Sequence, residues 1–402
     1  MTLRSAIREL LPDVPVHIAN GLLGRFSGLR SPLWYLHGLE RFKLSDDFGF
    51  KLDTPSEDHD TIVERLIAYY RRLKADAADR GIAANSDMWT WIAGLHRPFA
   101  KLLDAADHRR VGDALLNVAW GPLVAGFLNY ESNQRLKADR RARRREAKHI
   151  VDKLISLSEA LACSPVRCVE QGAWEYRNGD IDLEATLAGI EKKVGFEIAP
   201  PCAGGGTFGL RVGLNVFCMR DLIANYVAAR LRQLLPNQKE RCIAEIGGGT
   251  GSLAYYLVKA GMGRVSVHDL PTVGIVQGYY LMRSLGSARV WLYGEPRSET
   301  AAAEVKPYWT VADLSDKSVD AFVNVDSLPE IEPSAALDYI RLIQAKGKHF
   351  FLSINQEGQA EFSGVPQSVV YQLVERNGGF ERVYRFPHWM RKTYVEELYR
   401  IL

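Results

Sequence analysis

The alternation of apolar and polar positions predicts a strand, a turn, a helix and a second strand between residues 241 and 270. A short apolar run over 242–246 is interrupted only by Glu245, and the glycine-rich turn 247–251 ends it. Apolar residues then recur at helical spacing over 253–258 and alternate toward Asp269. A unit of this kind is half of a nucleotide-binding α/β fold.

Periodicity elsewhere divides the chain into a helical first part and an α/β second part. Helical spacing dominates the first part, in the stretches 58–80, 89–103, 111–130 with a break at Gly121-Pro122, 135–161 and 216–235. The second part predicts helices at 273–285 and 335–345, strands at 289–293, 320–325 and 348–355, and an antiparallel hairpin of 381–386 and 394–401.

The glycine turn indicates a ligand that contacts the backbone, because a Cβ atom at the turn would hold such a ligand away. Gly249-x-Gly251-x-x-Ala254 also satisfies a dinucleotide fingerprint with Asp269 as its ribose acid, which is typical of nicotinamide-dependent oxidoreductases. Two features argue against that interpretation. Glu245 places a carboxylate inside the strand, and only about one α/β half follows the turn.

The pattern E-x-G-x-G-x-G resembles motif I of class I S-adenosylmethionine-dependent methyltransferases. Three longer blocks, AEIGGGTGSLAYYL, HDLPTVGIVQGYYL and FVNVDSLPEI, resemble in order and spacing a family of bacterial sugar O-methyltransferases of polysaccharide and glycoside biosynthesis. The third block carries the family's Asn, Ser and Glu, but Ile331 stands where the family has Met.

This resemblance implies S-adenosylmethionine as cofactor and assigns roles to individual residues. Those expected to contact or order the cofactor are Glu245, Gly247, Gly249, Gly251, Asp269, Leu270, Asn324 and Ser327. The adenine contact is either Glu295 or an aromatic wall of Tyr308 and Trp309. Arg220 and Tyr226 match the spacing of a family Arg and Tyr before motif I, and we expect them to bind substrate.

The resemblance and the periodicity together predict a Rossmann-like class I methyltransferase sheet, with helices on both faces and a C-terminal antiparallel hairpin. A mostly helical N-terminal domain precedes it. The predicted segments are an N-terminal helical domain over 1–150, a helical linker or lid over the cofactor site at 151–235, and the methyltransferase domain at 236–402.

Transfer of a methyl group to a sugar hydroxyl needs a base, because a hydroxyl is a poor nucleophile at neutral pH. Glu330 is the first candidate, just beyond a predicted strand; Asp326 and His388 are alternatives, and Trp389 beside His388 is suited to stack on a sugar face. Structural alternatives remain open: Glu330 as the cap of the following helix, and His388 as an ordinary hairpin-loop residue.

The composition of the chain limits the classes of binding partner and the location that we expect for the protein. The 402-residue chain has a formal net charge of only +3, which gives no global indication of nucleic-acid binding. It shows neither a signal peptide nor an apolar stretch long enough to span a membrane, so we expect a cytoplasmic protein. The five cysteines form no C-x-x-C pair and are expected to be reduced, and no residue spacing demands a metal.

The basic run Arg135 to His149 is the strongest charge cluster. It is interpreted as a solvated helix face, with a grip on a nucleotide-sugar diphosphate or a nucleic acid as the alternative. A homodimer through the N-terminal helices is a further hypothesis.

The sequence therefore predicts an O-methyltransferase that acts on a hydroxyl of a small-molecule acceptor: a sugar, nucleotide sugar or glycoside. A polyketide or phenolic hydroxyl is the alternative acceptor. An NAD(P)-dependent oxidoreductase and a non-catalytic scaffold are the alternatives of other classes.

Overall fold

The computed structural model describes residues 47–82, 88–125, 127, 130–166, 181–235, 237, 240–358, 361–362 and 365–402. The first 46 residues of the predicted helical domain, and Cys168, lie outside the described residues. Apart from 165, 166 and 181–183, the described residues belong to one compact unit that covers 47–164 and 184–402. Residues on both sides of the predicted boundary near 235 are thus part of this unit.

A mixed eight-stranded sheet forms the centre of this unit. Its strands are β4 (Cys242–Ile246), β5 (Arg264–Asp269), β6 (Val290–Leu292), β7 (Ala303–Pro307), β8 (Val319–Val325), β9 (Gly347–Gln356), β12 (Phe380–Pro387) and β13 (Tyr394–Ile401). They lie in the order β12-β13-β9-β8-β4-β5-β7-β6. All neighbouring pairs are parallel except those of β13, which runs antiparallel to both β9 and β12.

The chain order reverses at β4, because β4 pairs with β5 on one side and with β8 on the other. Open α/β sheets bind ligands outside the carboxyl ends of the strands at such a switch point. The predicted fold class, a Rossmann-like methyltransferase sheet ending in an antiparallel hairpin, is confirmed.

Two smaller sheets are formed by strands that lie before β4 and between β9 and β12 in the sequence. A three-stranded antiparallel sheet contains β1 (Phe48–Lys51), β2 (Thr207–Val212) and β3 (Asn215–Phe217). The two-residue strands β10 (Glu361–Phe362) and β11 (Val365–Pro366) pair with each other.

Helices precede the sheet strands and alternate with them. In chain order they are α1 (His59–Asp79), α2 (Met88–Asp104), α3 (His108–Leu116), α4 (Tyr130–Ala138), α5 (Arg140–Ala160), α6 (Leu183–Val194), α7 (Met219–Leu234), α8 (Ser252–Lys259), α9 (Pro271–Leu285), α10 (Pro333–Lys346) and α11 (Val370–Asn377).

Side-chain alternation along the strands distributes the helices over both faces of the sheet. Ala244 and Phe322 point into an apolar cluster with helices α10 and α11. Val305 points to the other face, since it is in register with Val267 and thus with Glu245. There it faces Gly274 of α9, which in turn packs on α1.

Several predicted elements are wrong in detail. The helix predicted at 111–130 is divided further than at the predicted break Gly121-Pro122, since α3 ends at Leu116 and two short 3-10 turns precede α4. The basic run spans two helices, since α4 ends at Ala138 and Asp139 caps α5 by accepting a hydrogen bond from Arg141 N at 2.7 Å. Helices α6 and α11 and strand β7 were not predicted.

None of the helices within the described part of the chain has both the length and the apolar composition required to cross a membrane.

Gly209 in β2 tests the packing of the small sheet. Its φ of 153° and the carbonyl oxygen of Phe217, which an added Cβ would overlap, leave no room for a side chain. Gly209→Ala should therefore lower the free energy of unfolding by about 3 kcal/mol or more in denaturant titrations. Gly213→Ala, with φ of 57° in an open turn, is the matched control and should cost about 1–2 kcal/mol. Equal, small losses would contradict the described packing.

Candidate functional site

Two adjoining cavities open at the carboxyl ends of β4, β5 and β8. The first, of about 390 Å³, lies between the glycine turn and helices α4, α5 and α7. The second, of about 590 Å³, lies between β5, the turn after β7 and helix α10. Gly247, Asp269 and Ser327 line both cavities, so the two cavities adjoin at these residues.

The glycine turn brings bare backbone to this junction. Gly247 has a φ of 70°, and an added Cβ there would collide with the Ser327 hydroxyl. Gly249 has a φ of 56° and faces the Phe127 ring, which a Cβ would meet at 3.9 Å. Gly251, with φ of 87°, is the N-cap of α8. The first two line the first cavity and Gly251 does not.

Two buried acids flank the turn. Glu245 is 3% exposed and one of its carboxylate oxygens, Oε2, has no hydrogen-bond partner among the described residues. Burial, with a smaller contribution from the charge of Asp269, raises the pKa of Glu245 to about 8. A hydrogen-bond donor of a bound ligand could therefore pair with the unpartnered Oε2 atom of Glu245.

Asp269 ends β5 and is fixed by local hydrogen bonds. It accepts from Leu270 N at 2.8 Å and from Gln277 Nε2 at 2.7 Å. Burial raises the pKa of Asp269 to about 7, against the lowering effect of these donors. Gln277 also donates to Gly249 O at 3.0 Å, so this residue of α9 ties the acid to the turn. The sequence interpretation did not include Gln277; its position eight residues after the strand acid, on the predicted helix, is the only signal for it.

Asn324 and Ser327 hold the end of β8 against the end of β4. Asn324 Nδ2 and Ser327 Oγ both donate to Ile246 O, at 2.8 and 3.0 Å. Asn324 is fully buried and lines neither cavity, whereas Ser327 lines both. The structure therefore places Asn324 behind Ser327, where it positions the loop.

Leu270, Tyr308 and Trp309 line the second cavity, whereas Glu295 does not. Glu295 follows the edge strand β6, and its carboxylate pairs with Arg65 at 2.6 Å and with Arg72 at 3.3 Å. The resemblance offered Glu295 and an aromatic wall as alternatives for the adenine contact, and β6, which precedes Glu295, is not the neighbour of β5. The actual neighbour is β7, and the turn that follows β7 supplies Tyr308 and Trp309.

The candidate bases differ sharply in environment. Glu330 lines the first cavity, and the described residues form no hydrogen bond with its carboxyl. Burial and the nearby charge of Asp326 raise the pKa of Glu330 to about 8, although Arg391 lowers it. Glu330 does not cap α10, because Glu332 does so by accepting from Ser334 N at 3.0 Å and Ala335 N at 3.1 Å.

Asp326 lines the same cavity but is already bonded. Its carboxylate accepts from Arg391 Nη1 at 2.7 Å and from the Tyr394 hydroxyl. Its φ of 65° and the hydrogen bond from its backbone N–H to Asn355 Oδ1 at 3.0 Å fix the loop conformation. Sequence interpretation did not include Arg391, which lies just past the predicted His-Trp pair and lines the cavity.

His388, Trp389 and Tyr226 lie away from both cavities. His388 is 2% exposed and its ring packs edge-on against Tyr226, and burial lowers the pKa of His388 to about 3. Trp389 is 40% exposed. The Tyr226 hydroxyl donates to Glu396 at 2.6 Å, and Glu396 also accepts from Tyr384 at 2.8 Å. These positions do not bring the three residues to a ligand in the cavities.

Arg220 does line the first cavity, from the first turn of α7. Its Nε atom is buried without a hydrogen-bond partner, and the described residues form no ion pair with its guanidinium. It is therefore a cation available to an anionic group of a ligand.

Among the described residues, no cluster of three or more His, Cys, Asp and Glu side chains is arranged to hold a metal ion.

Comparison with known proteins gives similarity of fold only. No family model and no curated protein matches the sequence. Similar solved structures include magnesium protoporphyrin IX methyltransferase from Synechocystis PCC 6803 with bound SAH, at 15% identity over 46% of this chain and 84% of that chain, with a TM-score of 0.35. The mitomycin 7-O-methyltransferase MmcR is 14% identical over 70% and 76%, with a TM-score of 0.35.

An O-methyltransferase family protein from Burkholderia thailandensis is 12% identical over 45% of this chain and 59% of that chain, with a TM-score of 0.32. The class of the fold rests on the strand order, not on these similarities. That order, with one antiparallel strand inserted between two strands of parallel direction, is the class I methyltransferase arrangement.

Substitution of Tyr226 distinguishes a structural role of this residue from a role in binding the acceptor. Tyr226→Phe removes one donor to the fully buried Glu396 carboxylate and should lower the free energy of unfolding by about 1.5–3 kcal/mol. Thermal unfolding measures this loss, and ligand affinity of the folded variant should stay unchanged. Unchanged stability together with a raised acceptor KM would show instead that Tyr226 contacts the acceptor.

Proposed function

We propose that this protein is an S-adenosylmethionine-dependent O-methyltransferase. The observation that carries the proposal is the glycine turn between two buried acids, where two cavities adjoin. In the proposed arrangement one elongated molecule spans both cavities. A nucleoside joined to an amino acid has such a shape. NAD is the competing ligand, and calorimetry with S-adenosylhomocysteine and with NAD distinguishes the two.

The residues present fit the cofactor. The turn is a cradle that Cβ atoms would fill, and Glu245 Oε2 and Thr250 Oγ1 are buried polar atoms without partners among the described residues. In the proposed arrangement the Asp269 carboxylate accepts the ribose hydroxyls, and Leu270, Tyr308 and Trp309 enclose the adenine in the second cavity. The methionine part lies in the first cavity, near Gly247 and Gly249.

The bound cofactor supplies an electrophilic methyl group for an in-line displacement, which needs alignment and exclusion of water more than covalent help. Glu330 is the residue best placed to take the proton of the attacking hydroxyl. It lines the cavity, it is free of hydrogen bonds from the described residues, and a base with a pKa near the working pH transfers protons efficiently. Asp326 is held by Arg391 and Tyr394, and it would position Arg391 at the cavity wall.

A hydroxyl of a sugar, nucleotide sugar or glycoside is the proposed acceptor. The three sequence blocks that resemble sugar O-methyltransferases support this choice, together with polar side chains in the first cavity such as Asn133, Arg220 and Glu330. A methyl-transfer screen over nucleotide sugars, glycosides and phenolic compounds tests it. Turnover with phenolic acceptors alone would favour the non-sugar alternative.

Asp269→Ala tests the cofactor assignment. The substitution removes the proposed acceptor for the ribose hydroxyls and should weaken binding of S-adenosylhomocysteine by about 1.5–3 kcal/mol in calorimetry, the range for hydrogen bonds to a charged group. Glu295→Gln is the control, because it disturbs the ion pairs with Arg65 and Arg72 outside the cavities and should leave affinity unchanged. If Glu295→Gln weakens binding more than Asp269→Ala, the adenine assignment is wrong.

Glu330→Gln tests the base. The variant keeps the size of the side chain, so cofactor affinity should be retained while kcat falls by about 10²- to 10⁴-fold. The base acts when deprotonated, so kcat/KM of the wild type should rise with pH up to about 8, the raised pKa of Glu330. A His388 base would place this limb near 3. Loss of turnover in His388→Asn, with Glu330→Gln fully active, would assign the base to His388.

A further inference from the structure

Glu146 is the one acidic residue in the basic segment 140–149, which reads RRARRREAKH. It lies on α5, four and eight residues before the buried Ile150 and Leu154. Its side chain therefore belongs to the inward stripe of the helix, where apolar residues are expected. It lines the first cavity together with Leu136 and Phe208.

The surrounding cations do not neutralise this carboxyl. Arg140, Arg141, Arg144 and Arg145 are exposed on the other side of the helix. The described residues form neither a hydrogen bond nor an ion pair with Glu146, and its electrostatic interaction is with His149. Burial raises the pKa of Glu146 above its ordinary value.

A half-buried carboxyl without a partner destabilises the fold, because its lost hydration is not replaced. Five arginines within six residues could have paired with it if neutralisation were its purpose. A carboxyl that instead faces a cavity can be satisfied by a molecule that enters this cavity.

We propose that Glu146 is a specificity-determining residue, which binds a hydrogen-bond-donating group of the acceptor, a hydroxyl or an ammonium. The inference rests on the proposed function and names the side of the cavity that recognises the acceptor. Glu330 is one of four further acidic residues that line the same cavity, and Phe208 and Ile223 contribute apolar walls. The carboxyls disfavour a phosphate beside Glu146, whereas Arg220 of the same cavity is available to an anionic group elsewhere in it. The exposed arginines of α5 do not line the cavity.

Three sugars of one ring type serve as probes, with the full-length chain saturated with S-adenosylhomocysteine. They are methyl glucopyranoside, which is neutral, glucosamine, which carries an ammonium, and glucose 1-phosphate, which is anionic. Dissociation constants come from NMR titration. Because Arg220 lines the same cavity and can hold a phosphate, the affinity of the wild type for glucose 1-phosphate does not test Glu146. Glu146→Gln should leave this affinity within about threefold or raise it, since a carboxylate near the anion is neutralised.

Two substitutions identify the donor. If the donor is an ammonium, Glu146→Gln should weaken glucosamine binding about 10-fold or more, because a charge-assisted hydrogen bond is lost. If the donor is a hydroxyl, Glu146→Gln should change binding of the glucoside by less than about threefold, because the amide oxygen still accepts a hydrogen bond. Glu146→Leu, which removes the acceptor, should weaken binding of the glucoside by about 2- to 10-fold. Arg145→Gln, exposed on the same helix, is the control and should change none of the three constants.

The proposal is overturned if Glu146→Leu strengthens binding of either donor probe. It is also overturned if neither donor probe binds, or if Glu146→Leu binds both as the wild type does. These outcomes are separable from failure of the proposed function. A chain that does not bind S-adenosylhomocysteine contradicts the proposed function, whereas normal cofactor affinity with unaltered probe binding contradicts only the role of Glu146.

Discussion

The close approach of the β4 and β8 ends is the constraint on which the site depends. Two side chains from the β8 loop, Asn324 and Ser327, donate to the same carbonyl oxygen of Ile246. The Ser327 hydroxyl then occupies the position that a Cβ of Gly247 would take. The first glycine is thus needed for contact between strands, and the bare turn that results is open to a ligand on its other side.

The buried carboxyls around this junction lower the stability of the folded protein near neutral pH. Glu245, Glu330 and Glu146 all have pKa values raised by burial, and each lacks a full set of partners among the described residues. Raised carboxyl pKa values favour the folded state at low pH and lose that contribution as the pH rises through them. A chain selected for stability alone would replace these residues, so their presence in one cavity is typical of a binding site that trades stability for function.

Sequence patterns identified the central strand, its glycine turn and Asp269, because local propensity, glycine conformation and burial agree there. They did not identify β7, whose sequence AEVKP reads as polar although all five residues are buried. Glu304 and Lys306 pair with each other inside the fold, an arrangement that hydrophobic periodicity cannot detect. Without this strand, the sequence left Glu295 and the pair Tyr308 and Trp309 as open alternatives for the adenine contact.

The candidate bases likewise show that a local sequence pattern does not reveal the environment of a single residue. The sequence favours Glu330 over His388 and Asp326, but all three lie near strand ends and the sequence does not reveal their environments. Their environments differ because of distant partners: Arg391 and Tyr394 for Asp326, and Tyr226 for His388. Contacts across 60 to 160 residues of sequence leave no local pattern from which to predict them.

The packing of α1 against α9 has a consequence for biosynthesis. Leu66 and Tyr69 of α1 contact Gly278 and Gly274 of α9, and Arg65 binds Glu295, 230 residues later in the chain. At about 5–20 residues per second, a ribosome needs roughly 10–50 s to synthesise that interval. During this time the apolar face of α1 can pack on α2 and α3 but has no native partner on α9, so this part of the core can form only late in synthesis.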